Sequence, residues 1–248
     1  MTDVIASKPR GVSGKRRAKQ EVREDVILDA AAELIQRWGY NKTTVDDIAR
    51  KAGVAKGTIY LHWKTRDELF QALMDRETRV ITEDIQQRIT GDPDGATIHG
   101  SMKHSLLATA QYPLMKAVLL RDADMLGKWG RKQEHTGAYE RRLAGYTALL
   151  DLARKAGLVR ADMEMREQLY LLSVLSIGML IADAWLPDEV KLSDEQAVNV
   201  ISETVKRTLE TPSSTKEEWT VVSQAFNKYM EQVVLDLAID QNMEDTEE

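Results

Sequence analysis

Three observations predict an all-α fold. Apolar residues recur three to four positions apart through nearly all of the 248-residue chain, the spacing that gathers them on one face of a helix. No segment keeps the period-two alternation of a half-buried strand. The pattern is interrupted at glycine and proline, at Gly39, Gly53, the "GDPDG" run at 91–95, Pro113, Gly157 and Pro187, where chain reversals are cheapest. These breaks divide the chain into an arm (1–20), an N-terminal three-helix head with a helix-turn-helix at 44–63 (21–81), a helical bundle (82–210), and a terminal helix with an acidic tail (211–248).

The arm, with Pro9, Gly11, Gly14 and the cations Lys15, Arg16, Arg17 and Lys19, lacks apolar periodicity and reads as irregular. Order begins at Val26, Ile27, Ala30, Ala31, Leu34, Ile35 and Trp38, a helical stripe closed by Gly39. Thr44 precedes "VDDIARKA" and is the expected N-cap, with Asp46 and Asp47 in the first turn complementing the helix dipole. Gly53 stops that helix, and the next covers Lys56 to Trp63. Thr65 to Glu68 is a capping box opening a long fourth helix through about Arg88. Further helices are predicted near 97–110, 113–130, 136–156, 164–186 and 193–209. "LYLLSVLSIGMLIADAWL", 169–186, is apolar around most of its circumference and needs cover on two sides. With the stripe Val198, Ile201, Val205 and Leu209 it can form a seam between two subunits. Trp219, Val222, Phe226, Met230, Val233 and Leu237 describe one more amphipathic helix before "MEDTEE".

Composition narrows the functional classes. With 43% hydrophobic and 30% charged residues the chain can bury a core. No window holds the roughly 18 consecutive apolar residues of a membrane span. "SGKRRAKQ" is not followed by an apolar signal region, so the expected compartment is the cytoplasm. No cysteine is present, which excludes disulfides and thiolate chemistry. Residues 1–66 hold 14 Lys and Arg against 8 Asp and Glu, a net +6, while the remainder carries −12. A basic first quarter on an acidic body suits a polyanion met at one end; a solvated basic tail has the same signature.

The stretch "KAGVAKGTIYLHW", 51–63, points to what that polyanion is. Two short helices crossing near a right angle need a small residue at the crossing, a glycine at the turn and an aliphatic anchor directed back to the core. Ala49, Gly53 and Ile59 stand at those intervals, and Ile48, Val54 and Leu61 are expected to add packing around them. The outward side then carries Lys56, Gly57, Thr58, Tyr60 and His62: a cation, a glycine permitting close backbone approach, a hydroxyl, and rings with polar tips, all suited to a DNA groove. Helix-turn-helix units also occur in proteins that bind no DNA, and a helical scaffold or an enzyme-like small-molecule binder with an idle head is the alternative.

"TTVDDIARKAGVAKGTIYLHWKTRDELF", Thr43 to Phe70, together with "ILDAAAELIQRWGY" before it, resembles the DNA-binding domain of the TetR (tetracycline repressor) family of transcriptional regulators. The likeness is strong over about 22–75 and architectural beyond. It implies a homodimer whose recognition helices enter successive major grooves of a palindromic, double-stranded operator, and repression lifted by a small-molecule effector. Carried over, Thr44 would hold a phosphate, Lys56, Gly57 and Thr58 would face bases and backbone, Tyr60 and His62 would grip phosphate or base edges, and Arg66 would contact phosphate or support the fourth helix. Two departures stand out: Ala55 replaces the common serine cap of the recognition helix, and the 211–248 extension exceeds the usual length, covering a dimer seam or a ligand entrance. Lys15, Arg16 and Arg17 would reach a minor groove.

An effector would lie between helices of the bundle, with Tyr112, Met115, Met125, Trp129, Tyr146, Tyr170 and Trp185 as candidate liners, each also at home in a plain core. The fourth helix is expected to transmit the signal, as the sole link between head and bundle. No catalytic residue, cofactor or metal ligand is assigned. His99 and His104 are five apart rather than four, His135 is isolated, and no phosphate-binding glycine loop or nucleophile elbow occurs. "NKT" at 41–43 matches a glycosylation acceptor by coincidence.

Overall fold

The computed structural model describes the backbone over residues 11–132, 138–212, 215 and 217–228, with side chains described outside 11–22 and 131–142. Among these residues the chain is helical: α1 (Gly11–Trp38), α2 (Val45–Ala52), α3 (Lys56–Tyr60), α4 (Arg66–Gly91), α5 (Ile98–Gln111), α6 (Pro113–Leu120), α7 (Ala123–Lys132), α8 (Ala138–Lys155), α9 (Met165–Ala182), α10 (Asp194–Leu209) and α11 (217–228). The chain forms two compact units, the first containing the residues up to Thr78 and Arg121–Lys132, the second Arg79–Leu120 and the residues from Gln133 on.

The first unit packs the apolar stripes of α1, α2 and α3 around Phe70 and Leu73 of α4. Ile27, Ala31, Ile35, Ile48, Ile59, Phe70 and Leu73 are all buried. The arm expected over 1–20 is helical from Gly11: Pro9 is the last residue that forbids a helix, and the Lys, Arg, Ala, Gln and Glu that follow favour one. Gly39, at φ 77°, turns the chain after α1. The backbone then meets α7, for the Tyr40 N–H donates to the Met125 carbonyl at 2.8 Å. The single helix expected over 113–130 is two. Arg121 takes a positive φ of 53°, and the Asp122 carboxylate accepts from the amides of Asp124 and Met125 at 2.9 and 3.0 Å, capping α7.

The second unit is built on α5, α8, α9 and α10. Ile98, Met102, Leu106, Leu149, Leu150, Val198, Val205 and Leu209 form its core. The α10 stripe expected at a subunit seam is therefore interior: Val198, Val205 and Leu209 are fully buried and Ile201 is partly so. Trp219, Val222 and Phe226 of α11 join the same cluster, at roughly 1.5–3 kcal/mol per large apolar side chain removed from water; Met230, Val233, Leu237 and the acidic tail lie outside the described residues. The end of α10 is held by reciprocal backbone bonds, Arg160 N–H to Leu209 at 2.8 Å and Thr211 N–H to Leu158 at 3.0 Å, and by Glu210, whose carboxylate lies 2.9 Å from His99 Nδ1. α9 has the length and composition of a membrane-crossing helix, yet its buried Gln168 accepts from Arg154 and donates to the Arg160 carbonyl, at 2.8 and 2.9 Å, which fixes one face in the unit.

Candidate nucleic-acid interface

α2 starts where its sequence predicts. Thr44 has extended backbone (φ −106°, ψ 159°), and its hydroxyl oxygen accepts from the Asp47 amide at 3.2 Å while the Asp47 carboxylate accepts the Thr44 N–H at 3.3 Å. The Thr44 hydroxyl gives its proton to the same carboxylate at 2.5 Å. That hydrogen bond from Thr44 is the main reason the Asp47 carboxyl titrates below its usual range, with Arg50 adding to it. α2 ends at Gly53, whose φ of 68° and ψ of 28° lie in the left-handed region, and the Val54 N–H returns to the Ala49 carbonyl at 3.0 Å. The second helix thereby leaves at a sharp angle with Ile59, 1% exposed, as its anchor. Ala55 is extended like a cap residue but supplies no side-chain bond; the Thr58 N–H donates instead to the Ala55 carbonyl at 2.8 Å, and the side-chain oxygen a serine would add is missing.

Burial separates the faces of α3. Lys56, Gly57 and Tyr60 are exposed, Thr58 is half-buried and Ile59 faces the core. Lys56 Nζ lies 2.7 Å from Asp46 Oδ2 on the exposed surface, and that hydrogen bond raises the lysine pKa. Lys42, Arg50, Lys51 and Lys64 are also placed on or near the surface, and Lys51 reaches Glu33 at 2.6 Å. His62 is turned aside: its Nδ1 lies 2.8 Å from Glu24 of α1, which seats α3 on α1. Leu61, expected in the core, is instead 84% exposed. It follows the last turn of α3 one helical turn after Gly57. Its apolar character alone points to the core; the i+4 spacing from an outward glycine is the signal that places it outside.

Arg66 is an internal support. Its guanidinium lies 4.2 Å from the centre of the Tyr40 ring and donates to the Thr43 carbonyl at 3.2 Å, while the Tyr40 hydroxyl donates to Asp67. Burial, followed by this bond to Asp67, pushes the Tyr40 phenol up. The side chains of Lys15, Arg16 and Arg17 lie outside the described residues.

The candidate effector residues do not converge. Trp129 and Met125 belong to the first unit, where the Trp129 ring meets Phe70 edge-on at 4.9 Å and its Nε1–H donates to Gln71 at 3.3 Å. Tyr170 and Trp185 lie on the surface of the second unit, and Tyr112 and Met115 are half-buried. Tyr146 alone of the seven lines the cavity that α6, α8 and α9 enclose, with Leu119, Leu143, Leu169, Leu172, Ser173, Ser176 and Ile177. Helical spacing says that a residue faces inward, not which unit it faces into.

A capped helix, a glycine turn and a short exposed second helix with a cation and a tyrosine constitute a helix-turn-helix of the kind that enters a DNA groove. The family described as bacterial regulatory proteins, tetR family, matches residues 27–73. The regulator TtgR of Pseudomonas putida is 32% identical over 157 residues, 62% of this chain and 72% of its own length. The chain belongs to the tetR family of DNA-binding transcriptional regulators. Two further relatives are matched over less than half their length: the A-factor receptor protein of Streptomyces griseus is 29% identical over 42% of this chain and 38% of its own, and the fatty acid metabolism regulator of Bacillus subtilis is 40% identical over 33% and 44%. Among solved structures, a complex of SmeT with triclosan has a TM-score of 0.61 at 20% identity, covering 77% of this chain and 93% of that one. AibR with isovaleryl coenzyme A and operator DNA has a TM-score of 0.55 at 19% identity, covering 74% and 97%. At these identities the structures share the fold.

Proposed function

We propose that the protein is a repressor that binds a palindromic operator as a homodimer through α2 and α3 and is released by a small-molecule effector, without a catalytic step, in the cytoplasm. The observation that carries this reading is the exposed face of α3, where Lys56, Gly57 and Tyr60 stand clear of the core that Ile59 anchors. Dimerisation is supported by α9. Tyr170, Val174, Ile177 and Ile181 are exposed at spacings of four, three and four residues, an apolar stripe along one side of a helix whose other side is already packed. The matched length of several relatives is short, and the effector half of the proposal therefore rests on the second unit itself.

The cavity between α6, α8 and α9 contains no charged side chain, and its polar side chains are Ser173, Ser176 and Tyr146; the serine hydroxyls donate to the Leu169 and Leu172 carbonyls. It suits an uncharged, largely apolar effector with at most a few hydrogen-bonding groups. At about 30 Å³ it is far below the roughly 300 Å³ or more of occupied ligand sites, so binding must part the helices, and α6 with them. Leu119 of α6 lines the cavity, and two residues later Arg121 begins the stretch that packs in the first unit. The chain thus passes between the units at three points, not through α4 alone, and the α6–α7 stretch gives an effector a second covalent route to the head. A ligand preferring the widened bundle weakens DNA binding by its differential affinity for the two states.

Selection of bound duplexes from a random pool at fixed, near-physiological salt tests the reading, with the Tyr60→Ala variant, altered only on the exposed face, in parallel. An inverted repeat enriched by the wild type and lost by the variant is the expected result. Recovery of unrelated sequences by both would refute it.

A further inference from the structure

We infer that Leu61 reads the methyl group of a thymine in each operator half-site, an assignment that rests on the DNA-binding reading above and deepens it. Leu61 is the most exposed large hydrophobic side chain among the described residues, at 84%. Packing does not explain it. The Leu61 N–H closes the last turn of α3 by donating to the Gly57 carbonyl at 3.2 Å, so its Cα lies directly one turn beyond Gly57. Lys56, Gly57, Tyr60 and Leu61 therefore form one contiguous outward strip, opposite Ile59.

The chemistry of the strip selects what Leu61 can touch. A leucine side chain has no donor or acceptor, so it contributes nothing to a phosphate or to the polar edge of a base. The apolar group that DNA presents in the major groove is the thymine C5-methyl. Gly57 lets the leucine reach it: a Cβ built at Gly57 would meet nothing within 4 Å, so this side of the helix is open and the backbone can come close to the base edges. A five-residue α3 is only about 7.5 Å long, shorter than the roughly 12 Å width of the major groove, so a residue at its C-terminal end enters the groove with the rest. The cations Lys56 and Lys64 flank the leucine in the chain, a rim that suits phosphates on either side rather than an apolar protein partner.

The test uses the full-length protein and the duplex obtained by selection. Each thymine is replaced in turn by deoxyuridine, which removes the methyl and leaves every hydrogen-bonding group in place, and affinity is measured for the wild type, Leu61→Ala and Leu61→Met. One thymine per half-site should weaken wild-type binding by about fourfold when its methyl is lost, the amount one buried methyl-sized group is worth, or about fifteenfold when both half-sites are changed. Leu61→Met should retain that sensitivity, and Leu61→Ala should bind thymine and uracil duplexes alike. Leu61 is on the surface, and unchanged far-ultraviolet circular dichroism of the variants confirms that the head is folded. If the wild type prefers a sequence but the uracil effect at every thymine is the same with and without Leu61, the inference is overturned while the DNA-binding reading stands. If the wild type prefers no sequence at all, that reading fails and the inference falls with it.

Discussion

Trp129 lies 51 residues beyond the N-terminal part of the first unit yet is built into that unit's core, and replacing it by alanine should loosen the DNA-reading head. The indole is 8% exposed, meets the Phe70 ring edge-on at 4.9 Å, and donates to Gln71 at 3.3 Å; Phe70 in turn lies 4.8 Å from Tyr40. Removing about 200 Å² of buried aromatic surface at about 25 cal/mol per Å² gives about 5 kcal/mol as an upper bound. Measured tryptophan-to-alanine losses are about 3–5 kcal/mol, so about 4 kcal/mol is expected. Trp129→Phe keeps the edge contact and loses the indole N–H and some volume, and should be worth about 1–2 kcal/mol. Amide hydrogen exchange of α1 and α2 reads the head separately from the bundle. A loss of about 4 kcal/mol accelerates exchange of the best-protected amides by about a thousandfold. Exchange of α1 and α2 within about threefold of wild type in Trp129→Ala would refute the placement of α7 in the head.

Other consequences follow from the same geometry. Ala55→Ser should raise the stability of the head by about 1 kcal/mol, read as an upward shift of its thermal midpoint, because Ala55 already has cap geometry and lacks only the side-chain oxygen; no shift would mean that the α3 amides are satisfied otherwise. Gly39→Ala and Gly53→Ala should differ. Both residues have positive φ, but a Cβ at Gly39 would stand 2.4 Å from the Asp124 carbonyl oxygen, whereas one at Gly53 meets nothing within 4 Å. Left-handed strain of about 1–2 kcal/mol applies to each, and in urea unfolding Gly39→Ala should lose clearly more. In the second unit, burial pushes the Asp92 carboxyl up, but the Asp94 amide, His104 and Lys103 outweigh it, and the folded group titrates below its ordinary value of 3.8. The stabilisation is thus present above about pH 4 and lost as the pH falls through the folded value. Asp92→Asn should be less stable than wild type at pH 7 by about 1–2 kcal/mol, with the gap closing below about pH 4; a gap that widens in acid would contradict the sign.

The elements with local punctuation were legible in the sequence. Thr44, and Thr65 with Glu68, announce helix starts through side-chain chemistry acting within four residues, Gly53 announces a helix end by its backbone freedom, and the structure begins and ends its helices there. What required the fold was assignment to a unit or a face. Trp129 and Met125 have the spacing of bundle residues, and only the break at Arg121 carries them into the head. Val198 and Val205 form a stripe that the sequence assigns to a seam, and the packing of α5 and α9 against α10 makes it interior. Leu61 and His62 depart from expectation in opposite senses, an apolar residue outside and a polar one turned inward, because both follow the last residue of α3 and His62 is drawn to Glu24 of α1, a partner distant in the chain.

If α3 distinguishes one DNA sequence from another, beyond what its cations hold by charge, the distinction must survive salt. The direct test measures affinity for the selected inverted repeat and for a scrambled duplex of equal length across a salt series. Both should fall steeply as salt rises, with the repeat bound at least about a thousandfold more tightly throughout. Two coincident lines would mean that the head is a nonspecific basic surface, and the repressor reading would be wrong.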